Sequence, residues 1–329
     1  MSEATASDVV QLNQDRNKKS ESANQRAMRR IWRDKLTMTA LLVLGTLSLI
    51  ILLADPICRY VLKVDPNATN PYDRLIAPFE LPTPIITTGL YENPLVGALL
   101  TPFQPGFHIL GTDDLGRDYA ARLMFGGQIS LAIGFFGSII TLIIGTAVGL
   151  ISGYFGGVID DLINWVITTL DSIPSIYLLM LIATVLTRSA TTLVIVIALT
   201  GWTGDARLVR GQTIQITNLD YVLSARALGA GSWRIMWTHI FPNTLSLQFL
   251  VLASGIGGLI LTESTLSFLK LGVQPPTATW GNMLTNAQQF FTRGPHMATI
   301  SGLLIFVTVL CLFVIGDGLR DAFDPRTVD

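Results

Sequence analysis

The sequence predicts an all-α integral membrane protein with six membrane-spanning helices. Of its 329 residues, 50% are hydrophobic and only 14% are charged, where a soluble domain carries about a quarter charged residues. Mean hydropathy is +0.52. The charges are bunched between long charge-free runs, several of them near the roughly 20 apolar residues that a helix needs to cross the hydrocarbon layer. Net charge is −1, which gives no general attraction to nucleic acid.

Residues 1–35 are polar, and the run MSEATASDVVQLNQDRNKKSESANQ has the composition of a disordered tail. No apolar core near the start marks a cleaved signal peptide. Arg26, Arg29, Arg30, Arg33 and Lys35 crowd against the first apolar run, 36–54. By the positive-inside rule this cluster stays in the cytoplasm and makes the run an uncleaved anchor. An extracytoplasmic loop, 55–122, follows. The 123–159 run holds 37 residues without a charge, cramped for two spans, and reads as one long span ending in GYFGG. A third span covers 162–187, interrupted by Asp171 and Pro174. The fourth, 189–204, is short unless it extends through Trp202. The fifth covers 235–262, starting near Pro242, and the sixth 294–316. Residues 123–316 thus form a transmembrane domain of five helices, and 317–329 a cytoplasmic tail.

With the N-terminus inside, 154–161 and 205–240 face inward, and 188–190 and 263–293 face outward. The inward 205–240 segment carries Arg207, Arg210, Arg226 and Arg234 against Asp205 and Asp220. The outward 55–122 loop is too long for the charge rule to bear on it. Glycines 145, 149 and 153 line up at a spacing that lets helix backbones approach closely; packing within the chain and a face for a second subunit both fit. The two cysteines, Cys58 and Cys311, fall near opposite membrane faces and are expected to stay unpaired.

Between two apolar runs lies YVLSARALGAGSWRIMWTHIFPN, residues 221–243. Tyr221, Val222, Ala225 and Leu228 recur at helical spacing, and Gly229 can end that helix in a left-handed turn. Ser232 can cap a second helix beginning at Trp233 and running toward Phe241 and Pro242. A short amphipathic helix of this kind either fits a partner's groove or lies on lipid headgroups. The residues alone leave both open.

The stretch resembles the "EAA" coupling loop of bacterial ATP-binding-cassette (ABC) importer permeases, with Ser224, Ala225, Gly229, Phe241 and Pro242 at matching positions. YVLSARALGA…HIFPN is closer still to the C-type permease subunit of oligopeptide and dipeptide transporters. Leu223 stands where the motif often has glutamate, so an acid-mediated contact is not carried over; Phe241 stands where leucine is common. Five further blocks resemble that family in order: LGTDDLGRD (110–118), DSIPSI (171–176), LTGWTGDARLVRGQ (199–212), LGVQPPTATWGNML (271–284) and GDGLRDAFDPR (316–326). Lys270 stands where glycine is usual, and 65–107 is longer than the family pattern needs.

The resemblance implies a type I ABC importer permease fold with a cytoplasmic coupling helix. It also implies a homologous second permease forming a heterodimer, two ABC ATPase subunits that use ATP and Mg, and an extracytoplasmic peptide-binding protein. Membrane lipid is the remaining partner. Tyr221, Ala225 and Gly229 would fit the ATPase groove, with Ser224 and Pro242 in the same motif and Arg226 and Arg234 pairing with acids around it. Gly229 carries the strongest expectation, because a side chain there would clash in a left-handed turn. The cargo implied is a peptide, with nickel chelates and glutathione as alternatives.

The remaining residues give no sign of catalysis. GxxxxGK[ST], HExxH and GxSxG are all absent, so no P-loop, zincin or nucleophile-elbow chemistry is expected of this chain. His108, His239 and His296 lie far apart and suggest no metal site. Asp171 is an acid inside an apolar span, about 15 Å in from Asp161 at 1.5 Å per residue. It either caps a helix broken at Pro174 or lines the pathway; a transporter driven by ions through Asp171 is the rival class. Asp113, Asp114, Arg117 and Asp118 read as a turn held by internal salt bridges that could also meet the delivering binding protein. Glu263 and Trp280 are expected at the outer interface.

Overall fold

The computed structural model describes residues 23–80, 108–186 and 189–323. Residues 1–22 of the polar tail, 81–107 of the long outer segment and 324–329 lie outside them. The described residues are helical with short turns. α1 (Ala23–Arg33) and α2 (Lys35–Leu52) meet at Asp34, whose carboxylate accepts from the backbone N–H of Leu36 and Thr37 at 3.1 and 3.2 Å. The stretch expected to be a disordered tail is therefore helical from Ala23 onward. It holds because Ala27 and Ile31 pack on Ala322 near the other end of the chain.

α3 (Tyr119–Phe155) begins at Asp118, which accepts from Ala121 N–H at 2.7 Å, and ends at Gly156. α4 (Gly157–Asp171) and α5 (Ser175–Val185) form one broken element, bent by 77° at Pro174. α6 (Ala190–Thr217) is far longer than the 189–204 span expected from hydropathy. α7 (Asp220–Ala227) is the short helix of the 221–243 stretch. α8 (Ser232–Phe268) runs through a π-helical stretch at Met236–Ile240. α9 (Trp280–Gln289) and α10 (Pro295–Phe323) complete the chain. Among the described residues, five helices are long and apolar enough to cross a membrane, and six spans result if the bent α4–α5 pair counts as one.

The glycine stripe settles how α3 and α6 pair. A Cβ on Gly145 would lie 2.6 Å from Asp205 Cβ, one on Gly149 2.6 Å from the Ala206 carbonyl, and one on Gly153 2.7 Å from Thr213 Cβ. Contacts advance together along both helices, so α3 and α6 run parallel, with α4–α5 as the crossover. The stripe is packing within the chain and leaves no face for a second subunit there. At one end of the bundle, Phe323 meets Phe249 of α8 at 4.9 Å between ring centroids, and Ala27 and Ile31 of α1 pack on the same end of α10.

The opposite end is a polar core. Asp113 pairs with Arg117 Nε at 2.6 Å and Arg122 Nε at 3.4 Å, and His108 Nδ1 lies 2.8 Å from Asp118. The expected salt-bridged turn is present. Asp113, Arg117 and Asp118 are buried within it, while Asp114 is half-buried and Leu115 exposed at the tip. Burial, and after it the Asp113 charge, pushes the Asp114 carboxyl up.

The 263–293 loop also turns inward. Trp280 is fully buried; its indole N–H donates to the Leu123 carbonyl at 2.9 Å and its backbone N–H to Ser130 Oγ at 3.0 Å. Glu263 is buried as well, and its Oε1 accepts from Ser267 and Thr279, each at 2.7 Å. Both residues had been expected at the outer interface. They are instead the joint between α3, α8 and α9. Cys58 and Cys311 are free and sit in separate apolar clusters.

Candidate coupling element and the charged pairs beside it

α7 starts after Leu219 in an extended conformation, with Asp220 in the first turn where the helix dipole favours an acid. It ends in a Schellman turn: Ala230 N–H donates to the Ala225 carbonyl at 3.1 Å and Gly229 N–H to Arg226 at 3.0 Å. Gly229 has φ +84°, the left-handed conformation expected. A Cβ there would meet nothing within 4 Å, so the constraint at 229 within this chain is backbone strain and not the expected clash, about 1–2 kcal/mol for an L-residue. Gly231, not Ser232, occupies the cap position of α8, with no side-chain cap bond. Pro242 lacks the N–H that an α-helix would direct to Thr238. The π-helical stretch before it absorbs the mismatch, with Asn243 Nδ2 donating to the His239 carbonyl at 2.6 Å.

The apolar positions of α7 divide between two faces. Val222 is 0% exposed and packs in a cluster with Leu150 of α3, Val209 and Ile216 of α6, and Ile235, Met236 and Ile240 of α8. Leu228, also placed on the helical repeat by the sequence, is 88% exposed, and Tyr221 and Leu223 are exposed beside it. Ser224, Arg226 and Gly229 face outward, and Ala225 is half-buried. The Arg226 guanidinium lies 5.3 Å from the Tyr154 ring centroid, so its charge rests partly on an aromatic face of this chain. Arg234 is exposed next to Trp233, and Trp237 is exposed a turn further on. Among the described residues, then, one buried valine tethers α7 to three helix ends while its polar and apolar outer face is open.

Asp171 lies on α4, away from this element. It does not cap the broken helix; α5 begins after Pro174 without a side-chain cap. Its Oδ1 accepts from Thr203 Oγ1 at 2.9 Å and its Oδ2 pairs with Arg207 at 2.8 Å, both across on α6. Further back on the same helix, Asp160 takes both Arg210 Nε and Nη2 at 2.6 Å. These arginines were visible in the sequence only as loop charges, because hydropathy ends the span before them. The signal available was an acid pair on one helix and an i, i+3 arginine pair on the next. Asp171 also lines a cleft of about 180 Å³ with Leu170, Ser175 and Thr200. A double-mutant cycle over Asp171→Asn and Arg207→Gln is expected to give about 0.5–1 kcal/mol, as for half-exposed pairs. Thermal unfolding in detergent measures it; a coupling of zero would show that the two charges do not hold α4 on α6.

The family described as "Binding-protein-dependent transport system inner membrane component" matches residues 145–329. The chain is 33% identical to the oligopeptide transport system permease protein OppC of Bacillus subtilis over 309 residues, covering 94% of this chain and 92% of that one. It is 38% identical to the glutathione transport system permease protein GsiD of Pectobacterium atrosepticum over 219 residues, 67% of this chain and 73% of that one. Against the protein of the same name in Escherichia coli O157:H7 identity is 42% over 219 residues, with 67% and 72% covered. The matched family segment takes in the glycine-lined end of α3, the paired charges, α7 and α8, and the chain belongs to the binding-protein-dependent transport system inner membrane components.

Proposed function

We propose that the chain is the permease subunit of an ABC importer for peptides, forming half of the translocation pathway. Oligopeptides or dipeptides are the first cargo class, with glutathione or a nickel chelate as the alternative. The observation that carries the reading is the geometry of α7: tethered by Val222, capped at Gly229, and open on the face bearing Tyr221, Ser224 and Leu228. That face supplies a docking helix for an ATPase groove. The basic residues of α1 and of 205–240 support a cytoplasmic position for this end and for both termini. ATP and Mg belong to two partner ATPases, whose closure pulls on α7 and tilts the helices it is fixed to. A homologous second permease covers the apolar surface left open on α4 and α5, where Val158, Trp165, Leu181 and Val185 are exposed. An extracytoplasmic peptide-binding protein meets the opposite end.

The rival, an ion-coupled transporter working through Asp171, is weakened by the Arg207 pair, which already neutralises that acid. The test is a cysteine at Leu228 in a chain with Cys58 and Cys311 changed to serine, co-expressed with ATPase subunits. A disulfide cross-link whose yield changes with ATP is expected. Its absence, with the protein correctly inserted, would return α7 to the role of an interfacial helix and revive the rival.

A further inference from the structure

α1 has three distinct faces. Ala27 and Ile31 turn into the end of α10, against Ala322, Leu319 and Phe323. About a quarter-turn round, Met28 and Trp32 form an apolar stripe that the bundle does not cover, Trp32 being 67% exposed. Further round lie basic positions, of which Arg33 is exposed, and exposed Lys35 follows at the start of α2. The acid in this group, Asp34, is committed to capping α2. The Thr37 hydroxyl, together with the backbone amides of Leu36 and Thr37, holds its carboxyl below the usual carboxylate range. Asp34 therefore stays ionised, and Arg33 and Lys35 set two cations against that one anion, so the surface is net cationic with one apolar edge.

We propose that this surface is a docking site for anionic lipid. The chain continues from it into α2, whose Leu36, Leu42 and Leu49 are exposed on the outside of the bundle; α1 therefore sits at the depth where the first span enters the bilayer. An apolar stripe of two residues is too narrow for a protein partner. It matches the headgroup boundary, where tryptophan anchors and aliphatic side chains reach the acyl region. Arg33 and Lys35 then face lipid phosphates, and each cation near an anionic surface favours anionic over zwitterionic lipid roughly fivefold. The consequence is a lipid contact on the helix that clamps the ends of α2 and α10 together, whatever cargo the protein carries.

The test reconstitutes the full chain into lipid discs carrying brominated phosphatidylglycerol or brominated phosphatidylcholine. Six tryptophans are present, so the Trp32 signal is the difference between the unsubstituted chain and Trp32→Phe. The expected result is severalfold stronger quenching of that signal by the brominated anionic lipid. In the double variant R33Q/K35Q the preference disappears while quenching by either lipid persists. Equal quenching by both lipids in the unsubstituted chain overturns the headgroup preference, and a signal unquenched by either shows that α1 is not at the bilayer. Quenching of the Trp32→Phe chain itself checks that the variants remain folded and embedded.

Discussion

Leucine at position 149 is expected to abolish accumulation of folded protein in the membrane. The atoms around Gly149 are not yielding side-chain tips: a Cβ there meets the Ala206 carbonyl at 2.6 Å, Val209 Cβ at 2.9 Å and Arg210 N at 3.0 Å. Overpacking an ordinary core costs about 1–3 kcal/mol, because side chains and backbone shift locally. Here the obstacle is the backbone of a second helix, and only separation of α3 from α6 relieves it. Separation would also strip Gly145 and Gly153 of their contacts. Gly204→Leu is the control, since a Cβ at 204 meets nothing within 4 Å, and it is expected to behave as the unsubstituted chain. Gel filtration of detergent extracts reads both; a monodisperse Gly149→Leu peak with unchanged thermal stability would show that the two helices are not fixed at this distance.

Val222→Asp is expected to lower transport at least tenfold while leaving insertion intact. Val222 is the one fully buried position of α7 and meets the ends of three helices. A carboxylate placed there has no cation in the cluster, and an unpaired buried charge costs several kcal/mol. α7 answers by detaching, since its other contacts are few, whereas the helices it packs on keep their contacts with one another. Leu228→Asp makes the opposite change. At 88% exposure it disturbs no contact inside the chain, so only partner binding weakens. Transport in cells and ATP-dependent cross-linking separate the two. Val222→Asp with full transport would mean that the valine is not the tether.

How far this architecture was legible in the sequence depended on where its signals are local. Long charge-free runs fixed α2, α3 and the apolar part of α10, because lipid selects on composition alone. Pro174 announced the break between α4 and α5, and Gly229 announced the end of α7, since each acts on its own backbone. The length of α6 was not legible: hydropathy stops at Asp205, while the helix continues because Arg207 and Arg210 find acids on α4. Trp280 and Glu263 were misplaced for a related reason. Polar residues in a connection read as surface until their partners, Leu123, Ser130 and Thr279, are known. In α7 the helix itself was legible, but which of Val222 and Leu228 faces inward was set by three other helix ends. No pattern within eight residues records that.

The close seating of α3 on α6 has a mechanical meaning. Two helices in register over many contacts bend together or not at all, so α6 behaves as part of a stiff beam. Its 28 residues make that beam about 42 Å long at 1.5 Å per residue. α7 is fastened beside one end. A tilt of about 10° about that end sweeps the other through about 7 Å, roughly the width of an extended peptide. A softer pair, without the glycines, would dissipate the same pull as local bending near the surface.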